Sequence, residues 1–243
     1  MISRDLRGRI AGVFLYIAFL AFHIVYVRRD WGYYNTAAKV NSLLITATIV
    51  FFLSSYFLRR KPVLFPKGFK ETLFPLFCAG LPLVIYHSVE LLRFVPAQNA
   101  ATTFFHALVG VHHNKLLGWN FLSMSLVLAG NGITLLGIIS LRRSFSIMVE
   151  ARAPVFTGLY AYVRHPLYIG EALAASGVLV FRFSPANLVL YALFIACQVY
   201  RAALEEKKLI SVFSEYLKYR KMTGSFFPRS LRSRSNDPNN QAQ

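Results

Sequence analysis

Four long stretches without a single charged residue set the strongest constraint on how this chain folds. They run over residues 10–27, 40–58, 72–89 and 116–141, and none of them contains Asp, Glu, Lys or Arg. A helix needs about 20 mostly apolar residues to cross the ~30 Å hydrocarbon core of a bilayer. Each stretch therefore predicts one membrane-spanning helix.

Two shorter apolar stretches follow, at residues 167–181 and 183–200. The first contains Glu171, and the second has no charge. Between them Ser184 is a suitable N-cap, and Pro185 fits the first position of a helix. We predict a C-terminal helical hairpin with a tight turn at this point, which gives about six transmembrane helices in all.

The first stretch lies where a secretory signal would also lie. It is long for the apolar part of a signal, and Arg28 and Arg29 follow it where a cleavage site would have small residues. We therefore expect a retained helix.

Composition agrees with a membrane protein and excludes a soluble globular domain. Hydrophobic residues make up 56% of the 243 residues and charged residues 15%, against about 45–50% and about 25% in soluble domains. The net charge of +17 does not indicate nucleic-acid binding, because the basic residues lie between apolar stretches rather than on one patch. Cys78 and Cys197 both fall in apolar stretches, which gives no support to a disulfide framework or a thiolate metal site.

The basic residues instead indicate an orientation. With the N-terminus in the cytoplasm, 21 Lys and Arg residues fall on the cytoplasmic side and six on the far side, which is the asymmetry of the positive-inside rule. The predicted fold is an all-α, multi-pass integral membrane protein with both termini in the cytoplasm. Its cytoplasmic segments are too short for a separate soluble domain, so any active site must be built at the inner face of the membrane.

Polar residues concentrate in residues 155–171. Pro166 restricts His165 to a non-helical conformation and is suited to begin the fifth helix. The N-terminus of that helix, with Arg164 and His165 beside it, is a site for a carboxylate or phosphate. Ring faces for a flat base or a cation are offered by Tyr160, Tyr162 and Tyr168. The alternative is an interfacial loop with an aromatic belt and ordinary basic residues.

A second polar cluster begins where the sixth helix leaves the membrane. Arg201 and Glu205 are four residues apart and therefore share a helix face. At the edge of the bilayer this pair suits the two ends of a zwitterionic ligand, and it equally suits a structural salt bridge. The residues alone leave both interpretations open.

The two clusters form an ordered set of motifs. The set comprises Thr157-Gly158-Leu159-Tyr160, Arg164-His165-Pro166-x-Tyr168-x-Gly170, Arg201-x-x-x-Glu205-Glu206, then Leu209, Phe213, Tyr216, Tyr219 and a closing Phe227-Pro228. In this order it resembles the isoprenylcysteine carboxyl methyltransferase family, over residues 141–229. Members of that family are integral-membrane enzymes that use S-adenosylmethionine.

The resemblance implies a cytoplasmic cofactor pocket and assigns residues to it. A cofactor-binding role is implied for Val155, Tyr160, His165, Pro166, Leu167, Tyr168 and Glu205. Arg201 is implied to contact the acceptor, so Arg201 and Glu205 are the candidate catalytic residues, and no metal is implied. Glu171 follows the glycine of the motif, where eukaryotic members need no acid. It is either a further ligand contact or the buried partner of an arginine, and we favour the partner.

These residue types suit methyl transfer. A carboxylate acceptor needs no general base at neutral pH, and an arginine can orient it with two parallel hydrogen bonds, while tyrosine rings and Glu205 suit the cationic and hydroxyl groups of the cofactor. We expect methyl transfer to a lipid-anchored or apolar acceptor in the bilayer, first of all the carboxylate of an isoprenylcysteine-like substrate.

Three other functions are compatible with parts of this sequence. Phospholipid N-methylation is the first alternative, with His165 or Glu206 accepting the proton of the amine. Membrane sterol reductases use NADPH and resemble the same C-terminal pattern, but they have a Lys-Tyr-Gly followed by Trp where this chain reads Phe213-Ser214-Glu215-Tyr216. A non-catalytic protein that keeps the scaffold is the remaining alternative, and the intact motifs argue against it.

The remaining polar features lie outside the motifs. His106, His112 and His113 fall in the connection before the fourth helix and predict either a metal site or an interfacial amphipathic segment. Gly130 and Gly132 in the fourth helix predict close helix packing or a weak point where a lipid chain enters.

We predict three parts for the chain. Residues 1–115 hold the first three helices and an outer connection, residues 116–229 form the catalytic membrane domain, and residues 230–243 are a disordered basic tail.

Overall fold

The computed structural model describes residues 4–33, 36–86, 99–109 and 117–229, and within these ranges the chain forms helices and no β-sheet. The helices of this part are α1 (Arg4–Asp30), α2 (Thr36–Leu58), α3 (Gly68–Tyr86), α4 (Ala100–Val109), α5 (Leu117–Leu141), α6 (Pro166–Phe181), α7 (Pro185–Ile210) and α8 (Glu215–Met222). The predicted all-α fold is confirmed at this level.

Four of the described helices are long and apolar enough to cross a membrane. The crossing segments are Gly12–Arg29 in α1, Lys39–Leu58 in α2, Phe121–Leu141 in α5 and Pro185–Ile210 in α7. Helix α6 is apolar but has only 16 residues. A membrane protein is therefore supported, and the count of six spans stays a prediction.

Both helices that carry the polar clusters begin at the predicted prolines. Helix α6 starts at Pro166 after His165, whose φ of −127° and ψ of 56° are not helical, because proline disfavours the helical region for the residue before it. Helix α7 starts at Pro185, and the Ser184 hydroxyl accepts a hydrogen bond from the backbone N–H of Asn187 at 3.1 Å. The Ser184 N-cap is therefore confirmed.

Helix α7 runs ten residues past the predicted end of its apolar stretch, to Ile210. Arg201 and Glu205 consequently lie on one continuous helix, and the two side chains are in contact. The predicted shared face is present.

Helices α5 and α6 pack with their backbones in close contact. A Cβ atom added at Gly130 would lie 2.3 Å from the Ala174 amide nitrogen, and one added at Gly177 would lie 2.6 Å from the Ser123 carbonyl oxygen. The Ser123 hydroxyl donates to the Gly177 carbonyl at 2.7 Å across the same interface. A Cβ at Gly132 would meet no atom within 4 Å. The close-packing prediction therefore holds at Gly130 and is wrong at Gly132.

The predicted hairpin is only part of the packing of α6. The interface of α6 with α5 is larger than its interface with α7, the next helix in the chain. Helix α7 packs mainly on α3. The turn between α6 and α7 thus reverses the chain, while the main neighbour of each helix comes from earlier in the sequence.

An aromatic cluster joins the first helices to the C-terminal part. Phe52 of α2 lies 4.6 Å from Phe145, measured between ring centroids, and Tyr16 of α1 stacks on Phe52 at 5.0 Å. The Tyr56 hydroxyl accepts a hydrogen bond from the Ile147 amide at 3.2 Å. Helices α1 and α2 therefore support the segment that follows α5.

Candidate active site

After α5 and a short 3-10 turn at Arg142–Ser144, the chain becomes extended at Phe145 and forms one wall of a cavity. Its buried side chains are Phe145, Ile147, Val149 and Ala151, each 0–3% exposed. The alternate side chains line the cavity, and they are Ser144, Ser146, Met148, Glu150 and Arg152; of the buried set, Phe145 also borders it. An extended chain directs successive side chains to opposite sides, so one short segment packs into the core and faces the cavity at the same time.

The cavity lies between this segment, the start of α6, the C-terminal half of α7, and α8. The cavity and the solvent space at its open mouth together have a volume of about 790 Å³. The predicted site residues that line it are Val155, Tyr160, His165, Leu167, Tyr168, Arg201 and Glu205. Pro166 is buried and does not line it, because its place is inside the first turn of α6.

Arg201 is held at the centre of the site. Its side chain is 4% exposed, Nη2 donates to the Ile147 carbonyl at 2.7 Å, and Nε lies 3.3 Å from Glu205 Oε1. The guanidinium carbon lies 5.0 Å above the Tyr168 ring, and the Tyr168 hydroxyl donates to Glu205 Oε1 at 2.5 Å. Arg201 and Glu205 thus form the predicted salt bridge. The same two side chains also line the cavity, so the ligand interpretation stays open.

Glu206 lies outside this cavity, and its carboxylate is bound by several cationic side chains. Its Oε1 accepts from Arg164 Nε at 2.8 Å and from His165 Nε2 at 2.9 Å, and Arg220 Nε lies 3.1 Å from its Oε2. The anion beside Arg164 and His165 is therefore a carboxylate of the protein itself, where the sequence predicted a ligand group.

Tyrosines form the remaining wall of the cavity. Burial raises the pKa of the Tyr160, Tyr216 and Tyr219 phenols above the ordinary value, so all three are protonated donors at neutral pH. The Tyr219 hydroxyl uses its proton on the Tyr160 carbonyl at 2.6 Å. Tyr162 is 66% exposed and does not line the cavity, so its predicted ring contribution is wrong.

Glu171 interacts electrostatically with Arg201, the predicted kind of partner, and takes its hydrogen bond from another residue. Its Oε2 accepts from Gln198 Nε2 at 2.5 Å, and the residue does not line the cavity. The buried-partner interpretation holds in kind, but the hydrogen-bond donor is an amide.

Sequence reasoning missed an ion cluster on the extended wall. Arg152 binds the Glu150 carboxylate through Nε at 3.0 Å and Nη2 at 2.5 Å, and Arg59 Nη1 at the end of α2 lies 3.8 Å from the same carboxylate. The alternation of apolar residues over residues 145–151 is the signal that would have placed Glu150 and Arg152 on one side of an extended chain.

The histidine prediction lies largely outside the described residues, since His112 and His113 are not among them and the side chain of His106 is not described. Within the described ranges no group of three His, Cys, Asp or Glu residues is arranged to hold a metal ion.

Helices long and apolar enough to cross a membrane, with a cavity lined by polar residues of α6 and α7, define a helical membrane protein. Residues 122–211 match the model of the isoprenylcysteine carboxyl methyltransferase family. Over this segment the chain is similar to that family, as its motifs predict. The match includes Arg164, His165, Arg201 and Glu205 and ends before α8.

A curated relative agrees. Over 111 residues the chain is 32% identical to the protein-S-isoprenylcysteine O-methyltransferase of Saccharomyces cerevisiae (strain ATCC 204508 / S288c). The aligned part is 42% of this chain and 46% of that protein, so the chain matches less than half the length of this relative.

Proposed function

We propose that this protein transfers a methyl group from S-adenosylmethionine to the carboxylate of an isoprenylcysteine-like acceptor. The observation that carries the proposal is the meeting of Arg201, Glu205, Tyr168 and His165 at one cavity inside the family-matching segment. The name of the yeast relative specifies the same chemistry for that protein. Residues 116–229 are the catalytic membrane domain in this proposal.

The residues around the cavity fit S-adenosylmethionine. Glu205 is 23% exposed and offers an anionic acceptor for hydroxyl or ammonium groups, and the tyrosine wall offers ring faces for a cation or a flat base. When bound, the cofactor supplies an electrophilic methyl group on a sulfonium. Val155, Tyr160, His165, Leu167 and Tyr168 complete the pocket, and Pro166 supports it from the first turn of α6.

Arg201 positions the acceptor in this proposal. Its buried Nε makes no hydrogen bond among the described residues and has only the longer ionic contact with Glu205. A ligand carboxylate would satisfy this donor, and a planar guanidinium fixes the orientation of a carboxylate. A carboxylate is already a nucleophile at neutral pH, so the site needs orientation and exclusion of water more than a base.

The state of the candidate bases favours the carboxylate acceptor over an amine. An amine must lose a proton before or during methyl transfer. Glu206 is bound by Arg164, His165 and Arg220 and lies outside the cavity, and His165 directs Nε2 at Glu206. Neither group is available near the proposed acceptor, so phospholipid N-methylation is the weaker alternative.

The proposal places the cavity on the cytoplasmic side, with six spans and both termini in the cytoplasm. Reporter fusions after Arg60, Arg152 and Gln243 are expected to give cytoplasmic signals, and fusions after Asp30, Asn99 and Arg182 signals from the far side. The asymmetry of basic residues is the physical reason. A cytoplasmic signal at Asn99 would contradict the six-helix arrangement.

Glu205→Gln is expected to weaken binding of S-adenosylmethionine. The change removes the charge that accepts from Tyr168 and faces Arg201, and losing one such contact costs about 1–3 kcal/mol, or roughly 5- to 150-fold in the dissociation constant. Calorimetry on the purified protein in detergent measures this with S-adenosylmethionine and with its demethylated product.

Glu215→Gln is the matched control, because Glu215 is an exposed carboxylate on α8 that does not line the cavity. It should bind the cofactor as the parent does. Equal affinities in the parent and Glu205→Gln would place the cofactor elsewhere. No heat with either ligand, together with binding of NADPH, would replace the methyltransferase proposal with a reductase.

A further inference from the structure

A second groove lies on the other side of Glu206. Its floor is one face of α7, with residues spaced three and four apart as a single helix face requires. The lining residues are Arg164, Val199, Ala202, Ala203, Glu206, Lys207, Ile210, Arg220, Ser225 and Phe226. The groove and the solvent space at its mouth together have a volume of about 780 Å³. Neither Arg201 nor Glu205 lines the groove.

The groove is apolar at one end and cationic at the other. Val199 is 50% exposed on a helix long enough to cross the membrane, and Ala203 continues the same apolar strip. Lys207 is exposed and lies eight residues further along α7, which is about 12 Å along the helix axis. The apolar end therefore lies toward the bilayer core, and the cationic end lies toward the membrane surface.

The cationic end carries excess positive charge. Arg164, Lys207 and Arg220 line it against the single carboxylate of Glu206. The Arg220 side chain is 53% exposed and directs Nε at Glu206, so its remaining N–H groups are accessible from the groove. The Ser225 hydroxyl, which also lines the groove, donates to Glu206 Oε1 at 3.4 Å. A phosphate is the anion that several guanidinium and ammonium donors bind well.

We propose that this groove binds one anionic phospholipid of the surrounding bilayer. The headgroup phosphate lies between Lys207 and Arg220, and an acyl chain follows the strip of Val199 and Ala203 toward the bilayer core. The complementarity of charge at one end and of apolar surface at the other selects a lipid over a free anion, because a free phosphate leaves the apolar strip uncovered.

Arg164 lines both the groove and the candidate active site, and Glu206 connects the two through its hydrogen bonds. Glu206 faces Arg220 through Oε2 and His165 through Oε1, and the His165 ring stacks on Tyr168 at 5.4 Å. A lipid that holds Arg220 in place therefore also steadies the carboxylate that orients His165.

The test measures lipid binding and needs no methyl transfer, so its failure would leave the proposed function untouched. The delipidated protein in detergent is mixed with phosphatidylglycerol or with phosphatidylcholine, and bound lipid is counted by native mass spectrometry. The parent should retain phosphatidylglycerol in preference to phosphatidylcholine. Lys207→Gln should lower that retention about fivefold, and Ala203→Leu should lower it by filling the apolar strip.

Two matched controls isolate the groove. Lys218→Gln removes an exposed lysine of α8, and Ala192→Leu enlarges an exposed alanine eleven residues before Ala203 on α7; neither residue lines the groove, and both variants should retain lipid as the parent does. Equal retention of the two lipids by the parent overturns the proposal, and so does undiminished retention by Lys207→Gln. If Ala203→Leu fails to fold, Lys207→Gln against Lys218→Gln still decides.

A parallel measurement separates a lipid from a free anion. Phosphatidylglycerol should raise the thermal unfolding midpoint of the parent, and inorganic phosphate at the same concentration should leave it unchanged. An equal rise with inorganic phosphate would overturn the assignment to a lipid.

Discussion

Arg201→Lys is expected to lower turnover by about a hundredfold or more, while the affinity for S-adenosylmethionine stays close to that of the parent. Arg201 holds the Ile147 carbonyl with Nη2 and approaches Glu205 with Nε, and a lysine has only one nitrogen for both places. The positive charge beside Glu205 is kept, so the proposed cofactor site keeps its electrostatics. The planar fork is lost, and a misplacement of about 1 Å at the reacting centre costs about a hundredfold in rate.

The measurement is turnover on a panel that contains a prenylated cysteine analogue, a phosphatidylethanolamine and a small thiol, together with calorimetry of cofactor binding. Arg143→Lys is the control, because Arg143 is exposed and does not line the cavity; its turnover should match the parent. Normal turnover of Arg201→Lys on the active acceptor would contradict the positioning role. Arg201 would then be only the salt-bridge partner of Glu205.

Gly130→Ala is expected to destabilise the protein by about 3 kcal/mol or more, beyond the usual cost of one added methyl group in a core. The new Cβ would lie 2.3 Å from the Ala174 nitrogen and 2.6 Å from the Gly170 oxygen, and both atoms belong to backbone that cannot rotate away. Helices α5 and α6 would have to separate along their main interface, which also moves the start of α6 at the cavity. The thermal unfolding midpoint in detergent should fall by several degrees.

Gly132→Ala serves as the internal comparison. It adds the same methyl group two residues further along the same helix, where no atom lies within 4 Å. Alanine favours the helix over glycine by about 1 kcal/mol, so this variant should be as stable as the parent or more stable. Similar losses in both variants would show that the contact between α5 and α6 is not the cause.

Features set by neighbours in the chain were predictable from the sequence. The starts of α6 and α7 follow from Pro166 and from Ser184 with Pro185, because capping and proline geometry act within a few residues. The spanning helices follow from runs of apolar residues in the same way. Arg201 and Glu205 were placed on one face because a helix fixes the direction of residues four apart.

Features set by distant parts of the chain were not predictable. Glu206 binds Arg164 and His165 across 42 and 41 positions, and Arg59 reaches Glu150 from the end of α2. Local propensity carries no information about which cation meets which carboxylate. The cavity wall at residues 144–152 was not predicted for another reason. Its alternation of apolar and polar residues is short and lies between long helices, which dominate the hydropathy pattern.

The attachment of Lys208 limits how this protein could be divided. Its buried ammonium donates to the Phe65 and Val149 carbonyls at 2.8 and 2.9 Å and contacts the Glu71 carboxylate at 2.5 Å. Phe65 lies between α2 and α3 and Glu71 lies in the first turn of α3, so two of these three partners are far outside residues 122–211. A chain cut down to the matched segment would keep the ammonium and lose its counter-charge, and a buried charge without a partner is strongly unfavourable. We therefore expect residues 122–211 not to fold stably on their own. A fragment or chimera of this protein needs the helices that precede this segment.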